Sequence, residues 1–191
     1  VTLDRAQIVA EARDMIVAGG LGSLSLRRLG RRLGVSAPAL YFHVESKQAL
    51  LRAIAEGEIG RLAHEFEAID DPDPLERIRA QSRAYVAYAR ANPELFQVLL
   101  LAPPDIGVAP LPEGASLPAT TAAFAAASGA IGDAIDAGAI RADDPVLVAL
   151  TLWSGAHGVA SVLQLGFGLP PELEEAMIDE ITDRILAGYR A

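Results

Sequence analysis

The chain contains three histidines and no cysteine, which removes disulfides, thiolate zinc sites and cysteine nucleophiles from its chemistry. His43, His64 and His157 are too scattered for the His-x-x-x-His pair of a zinc hydrolase. Ser154 stands three residues before His157, yet no acid partner and no nucleophile elbow accompany it. There is no glycine loop of the kind that cradles phosphate. An enzyme built on a helical scaffold is therefore disfavoured, and no metal or cofactor is expected. The residues that could act together are cations. Arg27, Arg28, Arg31 and Arg32 lie just before Tyr41, His43 and Lys47, a concentration suited to a polyanion. The bland alternative for the arginines is a solvated helix face, and Arg31 and Arg32 fit that reading.

Charge distribution sharpens the point. The formal net charge is −9, but residues 1–50 hold seven Lys or Arg against four Asp or Glu, a net of +3. The remainder holds nine against twenty-one, a net of −12. A basic head on an acidic body implies a polyanionic partner at one end only.

Punctuation shows how this head is built. Ser25 is placed to cap a short helix whose Leu26, Leu29 and Leu33 face inward, Gly34 supplies a left-handed stop, and Ser36 is placed to cap a second helix with Pro38 in its first turn. Two short helices joined so tightly must cross, which is a helix-turn-helix. Ile8, Val9, Ala12, Met15 and Ile16 of a preceding helix supply the apolar cover. Lys47 falls in the first turn of a further helix capped by Ser46, where backbone donors and an ammonium together make a phosphate site.

Further along, Asp73-Pro74, Asn92-Pro93 and Asp144-Pro145 each place a capping side chain before a first-turn proline. Leu75, Ile78, Tyr85 and Ala89 fall at helical spacing, and Leu173, Met177, Ile181 and Ile185 repeat every four residues. The pattern predicts helices over 3–18, 26–33, 37–42, 47–67, 74–91, 93–101, 118–137, 145–166 and 171–189. The fold class is all-α, with about nine helices. The expected division is a three-helix helix-turn-helix domain over 1–46 and a larger helical domain over 47–191, with 47–67 as connecting helix. Residues 102–116, rich in proline, read as a surface loop, a mobile flap being the alternative.

From Val146 to Leu169 no residue is formally charged, a length that could span a bilayer. The flanks are acidic and Ser154, His157, Ser161 and Gln164 interrupt the apolar surface, so a helix buried all round in a bundle is the better expectation and no membrane partner is expected. The N-terminal residues lack the basic start and apolar core of a signal peptide, and a cytoplasmic location is expected.

The stretch Leu33-Gly34-Val35-Ser36-Ala37-Pro38-Ala39-Leu40-Tyr41-Phe42-His43-Val44, followed by Lys47 and Ala49-Leu50-Leu51, resembles the TetR family over about the first 55 residues. Trp153-Ser154-Gly155-Ala156-His157-Gly158 looks like the Trp-His-Gly signature of one C-terminal subfamily. The resemblance implies a transcriptional regulator, in the main a repressor released from its operator by a small, largely apolar effector, and gives the larger domain over 47–191 the roles of ligand binding and dimerisation. It implies DNA contacts by Ser25, Arg27, Tyr41, His43 and Lys47, with Tyr41 and Lys47 on phosphates. Ser36, Ala37, Pro38, Ala39 and Phe42 of the recognition helix complete that surface. Alanine at 37 and 39 offers thymine-methyl contact but few bidentate hydrogen bonds, so specificity leans on Arg27, Arg28 and DNA shape. His43 has a second reading, packing beneath the helix.

One helix-turn-helix makes too few base contacts for useful specificity, so a homodimer on double-stranded DNA is expected. By the resemblance, 145–166 and 171–189 would form its four-helix bundle, with Gly155, Ala156, Gly158, Ala160 and Ser161 allowing close approach; the alternative is packing within one subunit. The candidate lining of an effector pocket is Tyr85, Tyr88, Phe96, Gln97, Phe124, Trp153, His157 and Gln164. A DNA-binding protein that responds to no ligand is the remaining alternative, and activation in place of repression also stands open.

Overall fold

The computed structural model describes residues 3–97 and 118–190. The predicted loop at 102–116 and the end of the predicted helix 93–101 lie outside them. The described residues are helical, with no strand and a single isolated bridge between Ile140 and Arg190. The helices are α1 (Arg5–Gly19), α2 (Leu26–Leu33), α3 (Ala37–Leu40), α4 (Lys47–Glu67), α5 (Pro74–Ala91), α6 (Pro93–Phe96), α7 (Pro118–Asp136), α8 (Pro145–Leu163) and α9 (Pro171–Gly188), with a 3-10 turn at Leu21–Ser23. The all-α expectation holds.

Local chemistry accounts for most boundaries. Asp4 and Gln7 form a reciprocal capping box at the start of α1. Asp73 and Asp144 accept backbone N–H bonds from Leu75 and Val146, each at 2.9 Å. Asn92 does not cap through its side chain, because its backbone (φ −131°, ψ 56°) is not extended as a cap requires. Gly34 (φ +71°) and Gly138 (φ +68°) end α2 and α7 in the left-handed conformation. In each case two backbone bonds close the turn, Val35 N–H to Gly30 O and Gly34 N–H to Arg31 O in the first, Ala139 N–H to Ala134 O and Gly138 N–H to Ile135 O in the second.

Two compact units divide the chain. The first comprises Val1–Glu58 with Asn92–Ser116, and the second Ile59–Ala91 with Leu117–Ala191. The first is built on Ile8, Ala12, Met15 and Ile16 of α1, Leu29 of α2, Leu40 of α3, Leu50, Leu51 and Ile54 of α4, and Leu95 of α6. In the second, Ile78 of α5, Ala130, Ile131 and Ala134 of α7, Val148, Ala149 and Leu152 of α8 and Leu186 of α9 pack together.

Two expectations about the last helices need correction. The buried row of α9 is Ile178, Thr182 and Leu186, one position on from the predicted Leu173, Met177, Ile181 and Ile185. Ile181 and Ile185 instead lean on Gly155 of α8, where a Cβ would come within 3.2 and 2.8 Å of them, while Leu173 is half exposed. Nor is α8 buried all round. Val146, Leu147, Leu150 and Trp153 are exposed, because α5, α7 and α9 are its neighbours on the remaining sides. Among the described residues α8 is the one helix long and apolar enough to cross a membrane, with a mean hydropathy of 1.7; a core helix of a bundle meets the same criterion.

Candidate functional site

The first unit presents a helix-turn-helix. Ser25 caps α2 through Arg28 N–H at 3.2 Å, and Leu29, with no exposed surface, anchors α2 to α1. Gly30 sits where the two helices come closest: a Cβ there would lie 2.8 Å from the Val35 carbonyl oxygen and 3.3 Å from the Ala37 nitrogen. Sequence reasoning passed over this glycine, although a glycine inside a short helix is itself the signal.

The second helix of the motif is shorter than predicted. α3 closes at Leu40, and bonds from Tyr41 N–H to Pro38 O and from His43 N–H to Leu40 O tighten the chain into turns. Ser36 occupies the N-cap position but makes no capping bond through its hydroxyl. Pro38 removes one of the two N–H groups a cap would bind, and Ala39 N–H is taken by the Ser36 carbonyl at 3.0 Å. The exposed Ser36 hydroxyl is thereby left for another partner.

Leu40 points inward, while Ser36, Pro38, Tyr41, Phe42 and His43 are exposed and Ala37 and Ala39 are half-buried. Phe42 is 89 % exposed, a cost a side chain of that size does not incur in a core. His43 does not pack beneath the helix. Ser46 accepts a bond from Ala49 N–H at 3.0 Å, so Lys47 opens α4 beside free backbone donors.

The arginines of α2 differ in what holds them. Arg28 donates to the Gly22 carbonyl at 2.6 Å and approaches Ser25 Oγ, and Arg32 pairs with Glu11. To read a base, Arg28 must release those bonds. Arg27 and Arg31 have no hydrogen-bond or ion-pair partner among the described residues and are exposed. Behind the motif, an open cleft of about 400 Å³ is lined by Met15, Ala18, Gly19, Ser23, Arg28, Arg31 and Arg32. α4 is tied to α1 by Arg13, whose Nε lies 2.7 Å from the buried Glu58 carboxylate. That bond raises the Arg13 pKa above its ordinary value.

The second unit gathers four of the predicted pocket residues. Tyr85 Oη and His157 Nδ1 are 2.8 Å apart. Trp153 stands one turn before His157 with ring centroids 5.2 Å apart, and Phe124 meets Trp153 edge-on at 6.2 Å. Burial pushes Tyr85 up to about 12, a hydrogen bond from Trp153 opposing it, and burial lowers His157. Both therefore remain uncharged near neutrality. Gln164 donates to the Ala89 carbonyl at 3.0 Å, and Tyr88 is buried on the same helix as Tyr85.

Phe96 and Gln97 are placed differently, in the first unit. Phe96 is fully buried and Gln97 exposed. Gln81 was missed. It lies one turn before Tyr85, is 8 % exposed, and its side chain makes no hydrogen bond among the described residues. Its spacing from Tyr85 was the available signal. Ser154 Oγ is bonded to the Leu150 carbonyl at 2.7 Å, and no hydrogen bond joins it to His157. Among the described residues no three side chains are grouped as metal ligands.

Comparison with known proteins places this arrangement. Residues 8–54 match the model of bacterial regulatory proteins of the tetR family. Residues 78–186, more than half of the chain, match the tetracyclin repressor-like C-terminal domain. The chain belongs to the TetR family.

The curated tetracycline repressors match part of this chain. The class C tetracycline repressor of Escherichia coli is 44% identical over 54 residues, 28% of this chain and 25% of the repressor. The class D repressor of the same organism is 38% identical over 99 residues, 52% and 40% of the two chains. The chain thus spans at most about two fifths of the length of these repressors. Whole-chain likeness appears among solved structures. A Rhodococcus sp. RHA1 protein of unknown function covers all of this chain, which covers 97% of it, at TM-score 0.81 and 28% identity. A TetR variant from Acinetobacter baumannii AYE in complex with minocycline superposes at TM-score 0.70 and 19% identity, covering 98% and 96%, and shares the fold.

Proposed function

We propose that this TetR-family regulator is a homodimeric transcriptional repressor that binds duplex DNA through α2 and α3 and leaves its operator when a small, largely apolar effector occupies the second unit. The observation that carries the DNA-binding part is the helix-turn-helix surface. Arg27 and Lys47, without hydrogen-bond or ion-pair partners among the described residues, flank exposed Ser36, Tyr41, Phe42 and His43, on the positively charged part of an acidic chain. Phosphate contacts by Tyr41 and Lys47 would fix register, and Arg27 would reach base edges. The half-buried methyls of Ala37 and Ala39 suit thymine.

Dimerisation is supported by the exposed apolar row Val146, Leu147 and Leu150 on α8, with Leu173 on α9. Gly155 is already used within the subunit against Ile181 and Ile185, whereas a Cβ at Gly158 would meet nothing. Close approach by a second copy therefore falls to Gly158 and the outer row. A symmetric pair can present two recognition helices about 34–36 Å apart, one helical turn of DNA.

The effector reading rests on Phe124, Trp153, His157 and Tyr85 meeting in the second unit; the Acinetobacter structure shows a drug-sized ligand on the same fold. α4 would carry the response, since it belongs to both units and holds Gly57 and Gly60 where they divide. The test is operator binding across salt concentrations. Log affinity should fall with log salt, and Lys47→Ala should reduce the slope by about 0.9, one phosphate contact. An unchanged slope removes Lys47 from the interface.

A further inference from the structure

We infer that the effector is an uncharged aromatic compound carrying hydroxyl or carbonyl groups, held by the Gln81, Tyr85, Trp153 and His157 side chains. This rests on the reading of the second unit as an effector domain and assigns the chemistry of what it takes.

Three observations converge. The first is the lack of available positive charge on α5, α7 and α8, the helices that carry these side chains and Phe124. From Ala91 to Ile140 the sequence contains no Lys, Arg or His, and α8 contains neither Lys nor Arg. The arginines of α5 are all engaged by carboxylates: Arg77 by Asp133 at 2.6 Å, Arg79 by Asp183 and Glu76 at 2.7 Å, Arg83 by Asp179 at 2.6 Å and Arg90 by Glu174 at 3.2 Å. A carboxylate or phosphate ligand beside Trp153 would be desolvated without a counter-ion, and buried charge without a partner is strongly unfavourable.

The second is unspent neutral hydrogen-bonding capacity. Gln81 and Ser82 are each 8 % exposed and form no side-chain hydrogen bond among the described residues. Buried polar side chains are nearly always bonded. An amide offers a donor and an acceptor, and Gln81 offers both on the same face of α5 as Tyr85, one turn away. Beside Gln81 stand the Tyr85 phenol and the His157 imidazole, 2.8 Å apart and held neutral by burial.

The third is the aromatic wall. Trp153 contacts Phe124 and His157 yet remains 42 % exposed. A planar ring stacked on it would cover that surface at favourable offset geometry. Neutral hydroxyl or carbonyl groups on such a ring can engage Gln81 and the Tyr85–His157 pair together.

Calorimetry with three probes on one ring system tests the assignment: naphthol, naphthoate and naphthylmethylammonium. Naphthol should bind at least about tenfold more tightly than either charged partner, a difference equivalent to about 1.4 kcal/mol. Gln81→Leu should weaken naphthol at least about fivefold while leaving the melting temperature of the free protein close to that of the parent, since the Gln81 side chain makes no hydrogen bond to the described residues. Equal or tighter binding of naphthoate or naphthylmethylammonium, unchanged naphthol affinity in Gln81→Leu, or no binding by any probe each overturns the assignment. Operator release measured beside the calorimetry separates the two levels. If naphthoate releases DNA, the chemistry assigned is wrong and the effector reading stands; if no compound of a broad library releases it, the effector reading itself fails.

Discussion

Gly30 and Gly57 both lie inside helices, yet replacement by alanine should move stability in opposite directions. Intrinsic helix propensity favours alanine by about 1 kcal/mol at either site. At Gly57 nothing opposes this, because a Cβ would meet no atom within 4 Å, and Gly57→Ala should stabilise the protein by about 0.5–1 kcal/mol. At Gly30 the new Cβ would lie 2.8 Å from the Val35 carbonyl oxygen, well inside normal contact. That oxygen belongs to backbone, and the Val35 N–H is itself bonded to Gly30 O at 2.8 Å. Relief therefore requires opening the turn between α2 and α3. Overpacking of this kind costs about 1–3 kcal/mol, and loss of the turn bond about 1 more. After subtraction of the propensity gain, Gly30→Ala should be destabilised by about 1–3 kcal/mol. Urea unfolding with a slope near 2 kcal/mol per molar would show its midpoint lowered by about 0.5–1.5 M. DNA binding should weaken along with stability, since α3 is displaced; Gly57→Ala should bind DNA in its effector-free form as the parent does. A Gly30→Ala protein as stable as the parent would refute the account of how the motif closes.

Two further outcomes are expected. Leu150→Glu, together with Leu147→Glu, places charges on the exposed row of α8 and should convert dimer to monomer in sedimentation without loss of helicity; persistence of dimer would move the interface elsewhere. His157, whose folded pKa lies below 6.5 because of burial, contributes stability that is present above 6.5 and lost as pH falls through the folded value. The unfolded chain takes up a proton that folded His157 resists, so His157→Gln should show a shallower loss of stability on acidification than the parent, and identical slopes would contradict this.

Features that were legible from sequence are those fixed by local chemistry. Ser25, Gly34 and Asp144 announce their caps and stops through residue type alone, and the alternation of leucines in α2 follows from which side meets α1. What escaped depends on long-range packing. Ser36 has the right type for a cap, but Pro38 and the Ser36 carbonyl itself consume the bond. The stripe on α9 is shifted because Gly155 draws Ile181 and Ile185 toward α8. Phe96 and Gln97 resemble pocket residues in type, yet the neighbouring Leu95 inserts among the α1 residues and carries α6 into the first unit. Gln81 reads as an ordinary helix-surface glutamine until its burial is known, and Gly30 acquires its role only when Val35 folds back over it.

The central claim is that two basic heads engage one duplex. Sedimentation of the protein with a duplex selected from a random pool, at low ionic strength, tests it directly. The account predicts a dimer free in solution and two chains on each half-site pair, with binding abolished by combined Arg27→Ala and Lys47→Ala. A protein that sediments as a monomer and selects no duplex from the pool would contradict it.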